Sequence, residues 1–258
     1  MKNTQVKARD TEPGISSRVG ARSLLGMARG TVLAAILAAG RGERVGAAMP
    51  KQYLPLGGVP MLRRAADAFL LHRDIDRVAV FCPPDWLEQT QSLFADTPAE
   101  VLIGGETRTA TLALVIDYAQ ALFGDDADGI LLTHDGARPF VSAKIITENI
   151  AAARVHDACG TYLACADSLV RGTDGFVNAA ISRENIYRAQ TPQTFRACEL
   201  AHHFAALTDA QKSTLTDACG VFTLVGEPIF MVPGEPANFK ITTAADLHMA
   251  EKIAAGGT

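Results

Sequence analysis

Ile36-Leu37-Ala38-Ala39-Gly40-Arg41-Gly42-Glu43-Arg44-Val45-Gly46-Ala47-Ala48-Met49-Pro50-Lys51-Gln52-Tyr53 decides the reading of this chain. An apolar run from Val32 stops at Gly40, and a loop with three glycines and two arginines then closes on Pro50-Lys51. Uninterrupted apolar runs of this kind are the strands of parallel sheets, buried on both faces. Glycines directly after such a strand let the backbone approach a ligand, and clustered amides in a turn attract phosphate oxygens. Arg44 and Lys51 add cations that no core explains, so the loop reads as a polyphosphate cradle. It is neither a Walker loop, which needs Gly-Lys-Ser/Thr opening a helix, nor a dinucleotide fingerprint, because Gly46 leads to Pro50 and not into a helix.

Outward from this stretch the pattern alternates. Strands are expected over 31–39, 77–82, 100–103 and 129–133. Helices are expected from Pro60 through Leu70, from Pro83-Pro84 through Leu93, over 109–123, and from a Ser142 cap through Ile150. Strands alternating with helices of this length predict an α/β fold, Rossmann-like and doubly wound, with a mostly parallel sheet whose strand C-termini bind the ligand. The second half reads differently. A strand over 160–166 precedes a hairpin, an arm spanning about 167–186, which is expected to protrude and pack on a twin subunit. Further strands are expected over 186–189, 228–232 and 238–241, and helices over 197–206, 217–224 and from Thr243 through Ile253.

The chain has 258 residues, enough for one large α/β domain over 31–258. Residues 1–30 carry a net charge of +4 against −8 for the remainder, and read as a disordered basic extension. An acidic body argues against a nucleic-acid partner, and no apolar run reaches the roughly 18 residues of a membrane span. Five widely spaced cysteines, with no zinc spacing, suit free thiols in a reducing compartment, so a cytoplasmic location is expected.

Three further motifs carry chemistry. Asp135, ending a buried strand in His134-Asp135-Gly136-Ala137-Arg138-Pro139, suits Mg²⁺, which takes one or two carboxylates and completes its shell with phosphate and water. Arg138 reads as a second anion site or as the partner of Asp135 in a turn, and His134 as a packed or capping histidine. Gly104-Gly105-Glu106-Thr107-Arg108-Thr109-Ala110-Thr111 places amides and hydroxyls at a helix start, to read a base edge or simply to cap. There is no nucleophile elbow and no metal-spaced histidine pair. Cations, one strand-end carboxylate and glycine loops describe phosphoryl or nucleotidyl transfer, where positioning and charge neutralisation dominate.

Taken together, Leu37-Ala38-Ala39-Gly40-x-Gly42-x-Arg44, Pro50-Lys51-Gln52, Gly104-Gly105-x-x-Arg108, His134-Asp135-x-x-Arg138-Pro139, Gln190-Thr191-Pro192-Gln193 and Asn238-x-Lys240 resemble the cytidylyltransferases that act on polyol phosphates. The resemblance runs from about Val32 to Ile253 and implies the fold of nucleotide-diphospho-sugar transferases. Thr111, Val170, the 210–213 run and Thr216-Asp217-Ala218-Cys219 are most like the branch acting on ribitol 5-phosphate. Ala38-Ala39-Gly40 and Gly136-Ala137 depart from that branch, the first towards the one acting on 2-C-methyl-D-erythritol 4-phosphate. Ser168 replaces a threonine and keeps the hydroxyl.

The resemblance implies CTP, a polyol phosphate and Mg²⁺ as the small-molecule partners, and a homodimer. Leu37, Ala38, Ala39, Gly40, Gly105, Glu106, Arg108 and Thr111 would bind the nucleotide, and Arg44 and Lys51 would grip its triphosphate. Asp135 would hold the metal. Asp135, Gly136, Arg138, Ser168, Arg183, Thr191 and Lys240 would surround the polyol phosphate, with Arg183 reaching over from the other subunit's arm. Arg44, Lys51, Arg183 and Lys240 would form the catalytic set.

Overall fold

The computed structural model describes residues 30–40, 49–124, 126 and 128–256. Its elements in chain order are β1 (Val32–Leu37), β2 (Pro55–Leu56), β3 (Val59–Pro60), α1 (Met61–Leu70), β4 (Arg77–Cys82), α2 (Leu87–Leu93), β5 (Glu100–Ile103), α3 (Arg108–Phe123), β6 (Ile130–Asp135) and α4 (Ala143–Ala153). The chain continues through β7 (Ala158–Ala164), β8 (Leu169–Thr173), β9 (Phe176–Ile181), β10 (Tyr187–Arg196), α5 (Ala197–Ala206), α6 (Asp209–Ser213), α7 (Gly220–Val225), β11 (Phe230–Pro233) and α8 (Ala244–Ala254). Among the described residues no helix is long and apolar enough to cross a membrane.

Seven strands form one sheet in the order β11-β7-β10-β6-β1-β4-β5. The β1 strand pairs in parallel with β4 and β6, β4 with β5, and β7 with β11; β10 alone runs antiparallel, between β6 and β7. The apolar run of β1 is explained by its central place. Val32, Ala34 and Ile36 enter a core with Leu62, Ala66 and Phe69 of α1 and Ile145, Ile146 and Ile150 of α4. Leu33 and Ala35 point the other way, into a core with Leu112, Val115 and Ile116 of α3 and Leu200 of α5. Each fully buried Leu or Ile there contributes roughly 1.5–3 kcal/mol relative to exposure, so a polar residue anywhere in β1 would cost the sheet its centre.

Three expectations from sequence need correction. The strand expected over 186–189 continues to Arg196 and crosses the middle of the sheet. Pro192 argues against a central strand because it lacks an N–H, but the ladder shifts register between Ala189 and Gln193, so no donor is demanded of it. The strand expected over 238–241 is absent. Its polar backbone is taken up instead by Arg138 Nη1 on the Asn238 carbonyl, at 2.8 Å, and by the Ile241 amide on the Ala137 carbonyl, at 2.9 Å. Finally, α7 starts at Gly220, because the Asp217 carboxylate accepts from the Gly220 amide at 2.9 Å and turns the chain first. The short α6, closed by a Thr208–Gln211 capping box, went unexpected.

The β8–β9 hairpin forms a separate two-stranded sheet with every residue of β9 exposed, matching the expected arm. The basic extension lies outside the described residues but for Gly30.

Candidate active site

Parallel strands deliver their C-terminal loops to one edge, and here the neighbours β6 and β1, with β5 beyond β4, do so. Leu37 is in register with Asp135, the Gly136 amide donates to the Leu37 carbonyl at 2.9 Å, and the Ala38 amide to the Phe81 carbonyl at 2.8 Å. The cleft above them encloses about 200 Å³ and is lined by Leu37, Ala38, Ala39, Gly40, Lys51, Gln52, Gly105, Glu106, Thr107, Arg108, Thr111, Asp135, Ala137 and Lys240.

The glycine pair after β5 is required by packing. A Cβ on Gly104 would lie 2.5 Å from the Ala39 Cβ, and one on Gly105 would lie 2.5 Å from the Ala110 Cβ. The two loops therefore approach backbone to backbone at the cleft wall. Thr107 caps α3, accepting from the Ala110 amide at 3.0 Å. The Thr111 hydroxyl is turned inward, donating towards the Thr107 carbonyl at 2.9 Å and accepting from the Gly105 amide at 3.1 Å. It shapes the glycine turn, whose Gly104 amide donates to the Cys82 carbonyl at 2.8 Å.

The floor is electrostatic. Asp135 is buried, and three cations converge on its carboxylate: Arg108 Nη1 at 2.9 Å, Lys240 Nζ at 3.1 Å and Arg138 Nε at 3.4 Å. Burial alone would raise the carboxyl, but Arg108, Lys240 and Arg138 together hold it well below the usual carboxylate range. The side chains of Arg108 and Lys240 are 34% and 33% exposed, so they can turn towards an anion in the cleft; that of Arg138, at 9%, cannot. The Lys51 ammonium donates to the Ile241 carbonyl at 2.7 Å, tying the segment behind Pro50 to the one that carries Lys240.

The cleft gathers most of the residues singled out from sequence: Leu37, Ala38, Ala39, Gly40, Lys51, Gly105, Glu106, Arg108, Thr111, Asp135 and Lys240. Others stand elsewhere. Arg138 is not a free anion fork, because its guanidinium donates to Asp135 and to the Asn238 and Ala189 carbonyls. Thr191 is buried below the floor, where its hydroxyl meets His134 Nδ1 at 2.9 Å and accepts from the Asp135 amide at 3.1 Å. Gly136 is buried against Leu62, where a Cβ would lie 2.9 Å from Cδ1. Ser168 and Arg183 are exposed at the arm, Arg183 donating to the Ala166 carbonyl at its root. Arg44 lies outside the described residues. His134 is fully buried as a packed histidine, and burial pushes its pKa down to about 4.

One contributor was overlooked. Gln52 is buried and donates from Nε2 to the Ala38 carbonyl at 2.6 Å and the Gly40 carbonyl at 2.9 Å, bracing the start of the glycine loop. Its place directly after Pro50-Lys51 is the signal the sequence offers. Among the described residues no three His, Cys, Asp or Glu side chains group to hold a metal. The donor set is one carboxylate, which fits a Mg²⁺ ion that draws its other ligands from phosphate and water, and does not fit a metal held by protein alone.

Residues 32–255 match the family described as IspD, 2-C-methyl-D-erythritol 4-phosphate cytidylyltransferase. The chain is 37% identical over 227 residues to a ribitol-5-phosphate cytidylyltransferase of Lactiplantibacillus plantarum, covering 86% of this chain and 97% of that protein. Among solved structures, 4-diphosphocytidyl-2C-methyl-D-erythritol synthase of Anaerococcus prevotii superposes with a TM-score of 0.74 at 25% identity, covering 88% of this chain and 96% of the other. The 2-C-methyl-D-erythritol 4-phosphate cytidylyltransferase of Thermus thermophilus gives 0.70 at 30% identity, covering 88% and 100%.

Proposed function

This chain belongs to the 2-C-methyl-D-erythritol 4-phosphate cytidylyltransferase (IspD) family and is a nucleotidyltransferase, and from that premise we propose that it couples CTP to D-ribitol 5-phosphate, giving CDP-ribitol and pyrophosphate. The observation that carries the choice of polyol is the 37% identity, over nearly the full length of both chains, to a ribitol-5-phosphate cytidylyltransferase. The second reading, 2-C-methyl-D-erythritol 4-phosphate as acceptor in isoprenoid synthesis, draws support from the family description and from the solved structures at 25% and 30% identity.

In this reading the cytidine lies against Ala38, Ala39, Gly105, Glu106 and Thr111, which line the cleft wall. Lys51 and Arg44 grip the triphosphate. Arg108 and Lys240 leave Asp135 for incoming phosphates, Lys240 taking the polyol phosphate with Ser168 and with Arg183 from a partner's arm. A phosphate oxygen of the polyol phosphate attacks the α-phosphorus in line. The new O–P bond forms as the bond from the α-phosphorus to the bridging oxygen breaks, and pyrophosphate leaves with that oxygen. The nucleophile is already an anion, so no general base is needed. Asp135 would hold Mg²⁺, which when bound neutralises charge on the phosphates.

The arm supports a homodimer, since Val170, Phe176 and Val177 are 57%, 76% and 68% exposed in the single chain. We place the enzyme in the cytoplasm, where CTP is made, with its product serving glycopolymer assembly of the teichoic acid kind. The test is pyrophosphate release from CTP with each polyol phosphate, with and without chelator. Turnover of ribitol 5-phosphate at least ~10-fold faster than of methylerythritol phosphate, a gap of about 1.4 kcal/mol, is expected; the reverse preference overturns the choice of polyol.

A further inference from the structure

The strand end carrying Asp135 is held by hydrogen bonds whose proton directions can all be assigned. The Arg138 carbonyl only accepts, so His134 Nε2 carries the proton in their 3.1 Å contact. With Nδ1 bare, the Thr191 hydroxyl donates to it at 2.9 Å, and the Thr191 oxygen accepts from the Asp135 amide at 3.1 Å. The opposite arrangement, an Nδ1–H donating to Thr191, would leave the hydroxyl proton without an acceptor among the described residues. The chain then closes on itself. Arg138 donates to the Asp135 carboxylate and to the Asn238 carbonyl, and Asn238 Nδ2 donates to the Thr191 carbonyl at 2.8 Å. His134 is fully buried, its ring centroid 4.8 Å from that of Phe69, and lines no part of the cleft.

We infer that His134 is a positioning residue for the transfer reaction: through Thr191 and the Arg138 carbonyl it sets the height and rotation of the Asp135 carboxylate at the cleft floor. This rests on the role proposed for Asp135, and it explains why His134 and Thr191 are buried under that strand end with their polar atoms paired. Misplacing a reacting group by about 1 Å can cost roughly 100-fold in rate, so the device acts on turnover and not on ligand binding.

The experiment measures kcat and KM for Thr191→Val, which keeps the shape and removes the hydroxyl, for His134→Asn, and for the pair, alone and with Asp135→Asn. Expected is a fall in kcat of roughly 10- to 100-fold with KM for CTP within about twofold. The double variant should be no worse than the worse single, because both cut one chain, and Thr191→Val should change nothing further once Asp135 is replaced. Wild-type kcat with only a lowered melting temperature, or multiplicative losses, overturns the inference. A normally active Asp135→Asn overturns the reading of Asp135 and this one with it; a normal Thr191→Val beside an inactive Asp135→Asn overturns this one alone. The ¹⁵N shifts of the His134 ring give an activity-independent check: a protonated Nε2 is expected, and a protonated Nδ1 overturns the assignment.

Discussion

Replacing Asp135 by Asn removes one negative charge and leaves three positive ones facing the gap. The nitrogen-to-oxygen distances are 2.9, 3.1 and 3.4 Å, for Arg108, Lys240 and Arg138. At an effective dielectric of about 20, each pair near 4 Å is worth ~4 kcal/mol before desolvation. Arg108 and Lys240 are one-third exposed and can rotate into water, which reduces their share to about 1 kcal/mol each or less. Arg138 has no such escape. Its other bonds, to the Asn238 and Ala189 carbonyls, hold it in place beside an amide that no longer neutralises it. Orphaning one member of a buried ion pair costs about 3–5 kcal/mol. In a chain of this size, a loss near 4 kcal/mol should lower the melting temperature by roughly 8–16 °C. Urea unfolding at pH 7 in chelating buffer measures the loss directly. Adding Arg138→Met should recover part of it, since the unpaired charge goes too. If Asp135→Asn unfolds within about 1 kcal/mol of the wild type, the Arg138 charge is compensated elsewhere and the picture of the floor is wrong.

Lys240→Ala and Arg108→Ala should behave oppositely, losing about 1 kcal/mol or less of stability but roughly 10²- to 10³-fold in kcat; urea curves beside initial rates decide. Because the folded pKa of His134 is pushed down to about 4 from 6.5, the unfolded chain binds the extra proton between those values. The stability this residue contributes is therefore fully present above about pH 6.5 and falls by roughly 2–3 kcal/mol on going to pH 4.5, a slope that His134→Asn should flatten in urea titrations of metal-free protein. Gln52→Leu strips two carbonyls of a buried donor and should raise KM for CTP, the loop start losing about 1–3 kcal/mol of support; an unchanged KM would show that the loop holds its shape without it. Burial pushes the Cys159 thiol up to about 12 and Cys219 well above its usual value, so both should resist iodoacetamide at pH 8.5 until urea unfolds the chain, as peptide mapping can show.

The legible part of the fold was the part governed by local pattern. The run from Val32 had to be a strand buried on both faces, and the strand–helix alternation up to Ala153 fell almost where expected, because apolar periodicity and caps such as Ser142 act within one turn of chain. The second half was less legible. Pro192 and the 238–241 segment were misjudged because their backbone groups are satisfied by residues 31 to 100 positions away: Thr161 on the Pro192 carbonyl, Arg138 on that of Asn238. No local rule anticipates a partner at that distance.

The same division runs through the site. Cations, glycine turns and a strand-end carboxylate announce nucleotidyl transfer from their types and order alone, since each type has one dominant use next to phosphate. Which of the cations are free to meet a ligand is a matter of burial, and burial is tertiary. Sequence placed Arg138 and Thr191 among the substrate contacts; in the folded chain both turn inward, one to hold the Asp135 carboxylate and the other its amide. Charge and spacing determined the chemistry of this protein, and the convergence of β1, β5, β6 and β10 on one edge decided which side chains remain available to perform it.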